Sequence, residues 1–164
     1  MSRNRAAGVS VVDYEPRHRD AFRDLNLEWI ERFFVVEDAD RRVLDDPETN
    51  ILAPGGHILM AERDGVSVGC CALIRESDDM FELAKMAVSP AAQGQGIGVM
   101  LGRAALERAR RAGAERVELV TNSSLAPAIH VYEKLGFVHV PVGGSEYARA
   151  DVRMVRELRI EAEP

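Results

Sequence analysis

Gln93-Gly94-Gln95-Gly96-Ile97-Gly98 lies between an apolar run, Phe81 to Val88, and a helical pattern, Val99 to Ala112. Ser89-Pro90 closes the apolar run, so we expect a strand, then a glycine-rich turn, then the first turn of a helix. Glycine allows close backbone approach and positive φ. A helix N-terminus adds free N–H groups and the positive end of a dipole. The stretch therefore predicts an anion site suited to a phosphate or pyrophosphate.

Two common phosphate loops do not fit this stretch. The P-loop needs Gly-Lys followed by Ser or Thr, and the chain has no such tripeptide. The dinucleotide fingerprint G-x-G-x-x-G fails in both registers, because its third glycine falls on Val99 or on Leu101. The remaining pattern is Gln-x-x-Gly-x-Gly, and an ordinary glycine turn before a helix stays open as its alternative.

A second segment, Ala128 to Phe137, reads A-x-x-x-Y-E-K-L-G-F. Together the two segments resemble the GNAT superfamily of acetyl-CoA-dependent N-acetyltransferases, whose pyrophosphate loop carries Gln-x-x-Gly-x-Gly and whose later helix ends in Gly-Phe. Pro127 suits the first turn of that helix, with Ser123 or Ser124 as its cap. Gly136 suits the left-handed position just past its end.

Composition predicts one domain over residues 1–164, with 1–8 disordered. The chain has 164 residues, 46% hydrophobic and 29% charged, which is typical of a soluble globular protein. A net charge of −6 argues against nonspecific nucleic-acid binding. No apolar run approaches the roughly 20 residues of a membrane span, and the N-terminus lacks the apolar core of a secretory signal. Two adjacent cysteines, Cys70 and Cys71, suit a reducing compartment, so we expect a cytoplasmic protein.

The pattern along the chain predicts an α/β fold with the element order β-α-α-β-β-β-α-β-α-β-β. One face of the first helix carries Phe22, Leu25, Trp29 and Phe33, which we expect in the core. Residues 46–56 are predicted as loop, and Asp64-Gly65 as a hairpin turn. The predicted strands cover 9–14, 57–63, 66–75, 80–89, 115–121, 137–141 and 152–160, and the predicted helices 18–34, 37–45, 96–112 and 125–135. This order resembles the GNAT fold, a central mixed sheet of about seven strands with helices on both faces and a splay between strands four and five.

The resemblance implies acetyl-CoA as cosubstrate, with no metal. The backbone of the fourth strand would pair with the pantetheine, and an N–H near Val88 would polarise the acetyl carbonyl. Many family members place an asparagine seven residues before the tyrosine; that position is Leu125 here, and Asn122 is the substitute we expect. The expected cofactor-binding residues are Met86, Ala87, Val88, Gln93, Gly94, Gln95, Gly96, Ile97, Gly98 and Asn122.

Two catalytic residues are implied by the same resemblance. Tyr132 matches the general acid that protonates the departing thiolate. Glu82, eleven residues before Gln93, matches the general base of the histone-acetylating branch. Its alternative role is electrostatic attraction of a cationic acceptor, and the sequence leaves both roles open.

The sequence thus predicts transfer of an acetyl group to a primary amine of a small molecule or peptide. A non-catalytic acyl-CoA sensor and a protein-lysine acetyltransferase, suggested by the acidic residues 37–46, are the alternatives. The acceptor would be set by roughly 29–56 and 141–149, which carry no mechanistic signature. Acyl-chain preference and oligomeric state stay open, with a homodimer among the options.

Overall fold

The structure, a computed structural model, describes residues 7–144 and 147–158. Its centre is a seven-stranded mixed sheet in the order β1-β2-β3-β4-β5-β7-β6. The predicted element order is confirmed. The predicted disorder of residues 1–8 stays a prediction, because residues 1–6 lie outside the described residues, as does the predicted end of the last strand at 159–160. The strands are β1 Val9–Asp13, β2 His57–Arg63, β3 Val66–Ser77, β4 Met80–Val88, β5 Arg116–Thr121, β6 Val138–Val140 and β7 Val152–Glu157.

The helices begin and end close to their predicted bounds. They are α1 Arg19–Phe33, α2 Asp38–Asp45, α3 Ile97–Arg111 and α4 Ala126–Lys134. A five-residue π-helix, Glu48–Leu52, lies inside the predicted loop at 46–56. Among the described residues, no helix is both long and apolar enough to cross a membrane.

The predicted serine cap of α4 is wrong. Leu125 is the N-cap residue, and no side chain caps the helix there. Ser123 donates its backbone N–H and its hydroxyl to Asp151 instead, and Ser124 does the same to Asn122. The serines therefore fix the connection between β5 and α4 rather than the first turn of the helix.

The sheet opens between β4 and β5. These strands are parallel, and only Met80–Glu82 pair with Arg116–Glu118. Beyond those pairs the strands diverge, so the β5-facing backbone of residues 83–88 takes no part in the ladder among the described strands. The hairpin from β2 to β3 turns at Asp64 and Gly65, both at positive φ (52° and 77°), which fits the predicted two-residue turn.

Helices cover both faces of the sheet, as predicted. One core lies under α3, and the other lies under α1 and α2. Cys71 belongs to the first core and Cys70 to the second, because neighbouring strand residues point to opposite faces. Both thiols are free and buried.

The buried face of α1 differs from the predicted one. Phe22, Asn26 and Ile30 are buried at i, i+4 and i+8, whereas Phe33 is 46% exposed. Leu25 and Trp29 are half-buried. The buried face of α1 is therefore rotated about the helix axis relative to the predicted stripe of apolar residues. The polar Asn26 occupies the buried position one turn after Phe22. Its amide donates to the Phe22 carbonyl (2.9 Å) and to the Cys70 sulfur (3.3 Å), which satisfies it in the core.

Glycine at position 102 lets α3 approach α4 closely. A Cβ there would lie 2.3 Å from Leu135 Cδ1, which is closer than packed carbon atoms allow. Leu135 is buried and follows the last residue of α4. The glycine therefore sets the spacing of two helices that both reach the open part of the sheet.

We expect Gly102→Val to destabilise the fold by about 1–3 kcal/mol through overpacking against Leu135. Helix propensity acts the other way, because valine is slightly better than glycine in a helix. Arg103→Val is the matched control, since Arg103 is exposed on the same helix. Urea unfolding measures the free energy of both variants. Equal stability of the two would show that the helices do not depend on glycine at 102.

Candidate functional site

Two cavities meet where β4 and β5 diverge. The first, which we call the loop cavity, has a volume of about 440 Å³ and is bounded by the end of β4, the stretch 93–98 and α4. The second, the polar cavity, has about 90 Å³ and is bounded by α1, the middle of β4, the end of β5 and residues 147–150. Their shared walls are Trp29, Met86, Leu125 and Tyr132. A ligand in each cavity would therefore meet the other at these four side chains.

The glycine-rich stretch forms a tight turn into α3. Gly94 and Gly96 have φ of 78° and 85°, a region that glycine enters without strain. Gly96 is the N-cap of α3, and within the described part of the chain no side-chain hydrogen bond caps the helix. The first N–H groups of a helix lack intrahelical partners, so this turn presents backbone donors at the mouth of the loop cavity. The wall there contains Gln93, Gly94, Gly96, Ile97 and Gly98.

The two glutamines of the stretch brace the turn. Gln93 Nε2 donates to the Val88 carbonyl (3.1 Å), and Gln95 Nε2 donates to the Ala91 carbonyl (3.5 Å). Arg63, at the end of β2, donates to Gln95 Oε1 (2.6 Å). Gln95 thus lies behind the turn rather than on the cavity wall. Arg63 comes from a distant hairpin and had no local signal in the sequence.

A bulge in β4 separates the two cavities. Cys70 pairs with Ala87 and Ala72 with Ala84, so both Lys85 and Met86 lie opposite Cys71. Lys85 has φ 55°, a left-handed conformation that is uncommon for a lysine. After the bulge, Met86, Ala87 and Val88 line the loop cavity, while Lys85 lines the polar cavity.

Tyr132 lies on α4 at the junction of the cavities and lines both. Its ring contacts Phe137 edge to face, with 6.2 Å between centroids. Among the described residues its hydroxyl makes no hydrogen bond. Burial raises the pKa of Tyr132 to about 12, so the phenol carries its proton at neutral pH. The side chain is therefore a protonated donor aimed at the meeting point.

Glu82 is the last residue of β4 that pairs with β5. It lines the polar cavity and also a third cavity of about 320 Å³, which is bounded by Glu118 and Arg153. Burial lowers the pKa of Lys85, and the charge of Glu82 is among those that partly offset this effect. The structure thus brings the two expected catalytic residues, Glu82 and Tyr132, to one cavity.

Asn122 lies on the polar cavity and not on the loop cavity. Its amide donates to the Arg149 carbonyl (2.6 Å), and its oxygen accepts from the Ser124 hydroxyl (2.6 Å). Leu125, which occupies the family's asparagine position, lines both cavities. The pantetheine contact expected of Asn122 stays a prediction, because this side chain is engaged on the other side of Leu125.

A buried ionic cluster, which sequence reasoning missed, lies beside the polar cavity. Asp40 of α2 is fully buried and accepts from Lys85 Nζ at 2.6 Å. Arg149 donates two hydrogen bonds to the same carboxylate, from Nη1 to Oδ2 at 2.9 Å and from Nη2 to Oδ1 at 2.7 Å. Nη1 of Arg149 also donates to Glu37 (3.3 Å), and Lys85 donates to the Tyr147 hydroxyl (3.0 Å).

The cluster keeps its acid ionised. Burial alone would raise the pKa of Asp40, but hydrogen bonds from Arg149 and Lys85 outweigh it and lower the pKa to about 2. Burial lowers the pKa of Lys85, whereas for Arg149 the bonds to Asp40 outweigh burial and the pKa rises. Lys85, which shares a mostly apolar strand with Glu82, was the one sequence signal for this cluster. Arg149 and Asp40 lie 109 residues apart, and neither has a local motif.

The comparisons with known proteins agree with this geometry. A family model described as "Acetyltransferase (GNAT) family" matches residues 16–137. The uncharacterized N-acetyltransferase YjgM of Escherichia coli is 37% identical over 110 residues, covering 64% of this chain and 66% of that protein. A mycothiol acetyltransferase of Sanguibacter keddieii is 32% identical, covering 92% of this chain. The chain spans about half the length of the latter, 48%.

Solved structures share the fold. An acetyltransferase of the GNAT family from Staphylococcus aureus superposes with a TM-score of 0.84 at 20% identity, covering 92% of this chain and 99% of that one. A GNAT family acetyltransferase from Elizabethkingia anophelis, solved with acetyl-CoA bound, superposes with a TM-score of 0.67 at 19% identity, covering 93% and 99%. With the family model matching most of its length and the open sheet present, this chain belongs to the GNAT acetyltransferase family.

Proposed function

We propose that the protein transfers an acetyl group from acetyl-CoA directly to a primary amine of a small molecule or peptide. The observation that carries this proposal is the meeting of two cavities at Tyr132. One cavity has an uncapped helix N-terminus at its mouth, which suits a pyrophosphate. The other is lined by ionic and amide groups, which suits a polar acceptor. Direct transfer needs both reactants bound side by side.

Acetyl-CoA occupies the loop cavity in this proposal. The backbone N–H groups of the turn 93–98 bind its pyrophosphate. The free edge of β4 at Met86, Ala87 and Val88 pairs with the pantetheine as an added strand would. This pairing brings the thioester to the junction, beside Tyr132. Arg63 supports the turn through Gln95 and does not need to touch the cofactor.

The chemistry at the junction forms one C–N bond and breaks one C–S bond. The amine nitrogen attacks the acetyl carbon, and a backbone N–H near Val88 stabilises the oxyanion, an effect typically worth about 3 kcal/mol. As the C–S bond breaks, Tyr132 gives its proton to the CoA sulfur. The proton lost by the amine passes to Glu82, directly or through water. These reaction steps require no redox change and no metal ion.

A small acceptor fits better than a protein lysine. The acidic stretch 37–46 was the reason to consider a cationic protein surface, but Asp40 is fully buried and Glu37 bonds to Arg149. Two of its acids are thus used internally. The polar cavity is also small, about 90 Å³. The relatives act on varied acceptors, since their names include an aminoalkylphosphonate and a ribosomal-protein alanine.

Acetyl-CoA is expected to raise the thermal midpoint of the purified protein. At a hundred times its dissociation constant, a ligand adds about 2.7 kcal/mol to the free energy of unfolding. Gly96→Asp should abolish this response, because it places a carboxylate where the pyrophosphate binds. Gly113→Asp is the matched control: Gly113 has a similar φ, 90° against 85°, but lies beyond the other end of α3. No response of the wild type to millimolar acetyl-CoA or CoA would refute the proposal.

Tyr132→Phe should lower kcat by about 10²- to 10⁴-fold and leave the affinity for CoA nearly intact. The hydroxyl is needed only when charge forms on sulfur, so its loss acts on the transition state. Tyr14→Phe removes a phenol that bonds to Glu48 away from both cavities, and it should leave kcat unchanged. Release of CoA thiol measures turnover, and calorimetry measures affinity. An unaltered kcat for Tyr132→Phe would reduce the residue to a packing role.

Glu82→Gln separates the two roles of that residue. If Glu82 accepts the amine proton, kcat falls and the acidic limb of the pH–rate profile flattens or moves upward. If it only attracts a cationic amine, kcat at saturation survives and KM rises. Glu107→Gln, at an exposed position of α3, controls for loss of one negative charge. The measurement is kcat and KM from about pH 6 to about pH 9. An unchanged profile in both constants would remove Glu82 from the site.

A further inference from the structure

Arg149 lines the polar cavity and has two N–H donors that Asp40 and Glu37 do not use. A guanidinium carries five N–H donors in a fixed plane. Asp40 takes one donor from each terminal nitrogen, and Glu37 takes the second donor of Nη1. Three of five are therefore used, and two remain, on Nε and Nη2. With the described residues these two make no hydrogen bond. They are parallel and adjacent, which is the geometry that binds a carboxylate or phosphoryl group with two bonds.

Lys85 adds a third donor. Its ammonium group has three N–H bonds, of which Asp40 and the Tyr147 hydroxyl take two. Its side chain is only 5% exposed, and that of Arg149 is 18% exposed. Both residues line the polar cavity, whereas Asp40 does not. The cavity wall thus presents two desolvated cations whose counter-ion lies behind them.

We propose that the acceptor amine carries an anionic group, a carboxylate, phosphonate or phosphate, and that Arg149 and Lys85 bind this group. The inference rests on the proposed acetyl transfer and names the class of its acceptor. Asp40 acts as a positioning residue: it holds the guanidinium plane and leaves the second fork for the ligand. Hydrogen bonds between a guanidinium and an anion are charge-assisted and can form in pairs, so an anion on these donors is favoured over an uncharged group.

The position of Glu82 completes the site for a zwitterion. Glu82 and Lys85 line the same cavity, and their charges interact. An acceptor with its acid group on Arg149 can place its ammonium toward Glu82 and Tyr132. The small cavity volume, about 90 Å³, favours an acceptor the size of an amino acid. The bulge at Lys85 serves this arrangement, because it turns the lysine side chain into the cavity while the next residues face the cofactor.

Tyr147 and Phe34 hold the cations in place. The Lys85 ammonium lies 4.5 Å from the centroid of the Tyr147 ring, and the Arg149 guanidinium lies 4.9 Å from the same ring. Phe34 packs on the guanidinium at 5.7 Å. Cations on aromatic faces gain attraction without losing their N–H donors. The fork is therefore positioned before any ligand binds.

The test uses matched pairs of amines with acetyl-CoA and the wild-type protein. Each pair contains an acid and its uncharged analogue, for example alanine and alaninamide, or aminomethylphosphonate and its neutral diester. A phosphate pair, phosphoethanolamine and ethanolamine, is included. We expect at least one acid to be acetylated with kcat/KM ten or more times that of its analogue. Equal values throughout, or turnover of the uncharged members alone, would overturn the proposal.

Two variants test the residue assignment. Arg149→Lys keeps a positive charge beside Asp40 but loses the fork, so the acid-to-amide ratio of kcat/KM should fall at least tenfold, mainly through KM. Arg149→Gln should lose the preference altogether, and Lys85→Met should weaken it. Arg110→Gln, exposed on α3, is the charge-matched control and should keep the ratio. Thermal unfolding checks that each variant is folded, because Arg149→Gln and Lys85→Met each take from the buried Asp40 one of its two cationic partners. A folded Arg149→Lys with the wild-type ratio would overturn the assignment.

The outcomes for the acceptor class and for acetyl transfer are distinct. Loss of both acetyl-CoA binding and all turnover would remove the proposed function. Acetyl-CoA binding with turnover of neutral amines only would keep the function and overturn the anionic acceptor. Acetyl-CoA binding with no turnover of any pair would also overturn it, because the panel offers a carboxylate, a phosphonate and a phosphate on small amines.

Discussion

The parting of β4 from β5 after Glu82 is the constraint on which the rest of the site depends. Three residues of each strand pair, and then the ladder ends in the middle of the sheet. Unpaired strand edges inside a sheet are costly unless something satisfies them. Here the gap is bordered by α1 and α4, and it holds both cavities. A ligand that pairs with the free edge of β4 would therefore complete the sheet, and we expect such a ligand to stabilise the fold.

The bulge in β4 then determines which residues of the strand line each cavity. On a regular strand, side chains alternate between the two faces, and Lys85 and Met86 would follow that alternation. The extra residue opposite Cys71 breaks it, so Lys85 lies on the polar cavity and the residues after it lie on the loop cavity. A left-handed lysine costs of order 1 kcal/mol. The ion pair with Asp40 and the bond to Tyr147 hold it in that conformation.

Local signals explain how much the sequence could predict. The glycine turn, Gly136 just past the end of α4, and Tyr132 belong to short segments whose residues determine their own geometry, and the structure places the turn and Tyr132 on the wall of the loop cavity. The cluster of Asp40, Lys85 and Arg149 was not predicted, because it joins three segments that meet only in the folded chain. The α1 face was misjudged for a related reason: Asn26 is polar but satisfied by Phe22 and Cys70, which periodicity alone does not show. A hydrogen-bonding partner that is distant in the sequence, such as Cys70, allows a polar residue to be buried in the core.

The ionic cluster also joins three parts of the protein that are far apart in the sequence. Asp40 belongs to α2, Lys85 to the centre of the sheet, and Arg149 to the connection before β7. Replacing a buried ion pair by apolar groups is often neutral for stability, so such a cluster is weak evidence for a purely stabilising role. Specific placement of charge is the better explanation, since Asp40 ties α2 to Lys85 and Arg149 and these two cations form part of the wall of the polar cavity. Substitution of either cation in that wall therefore affects α2 as well, and the cluster restricts such changes to residues that keep Asp40 paired.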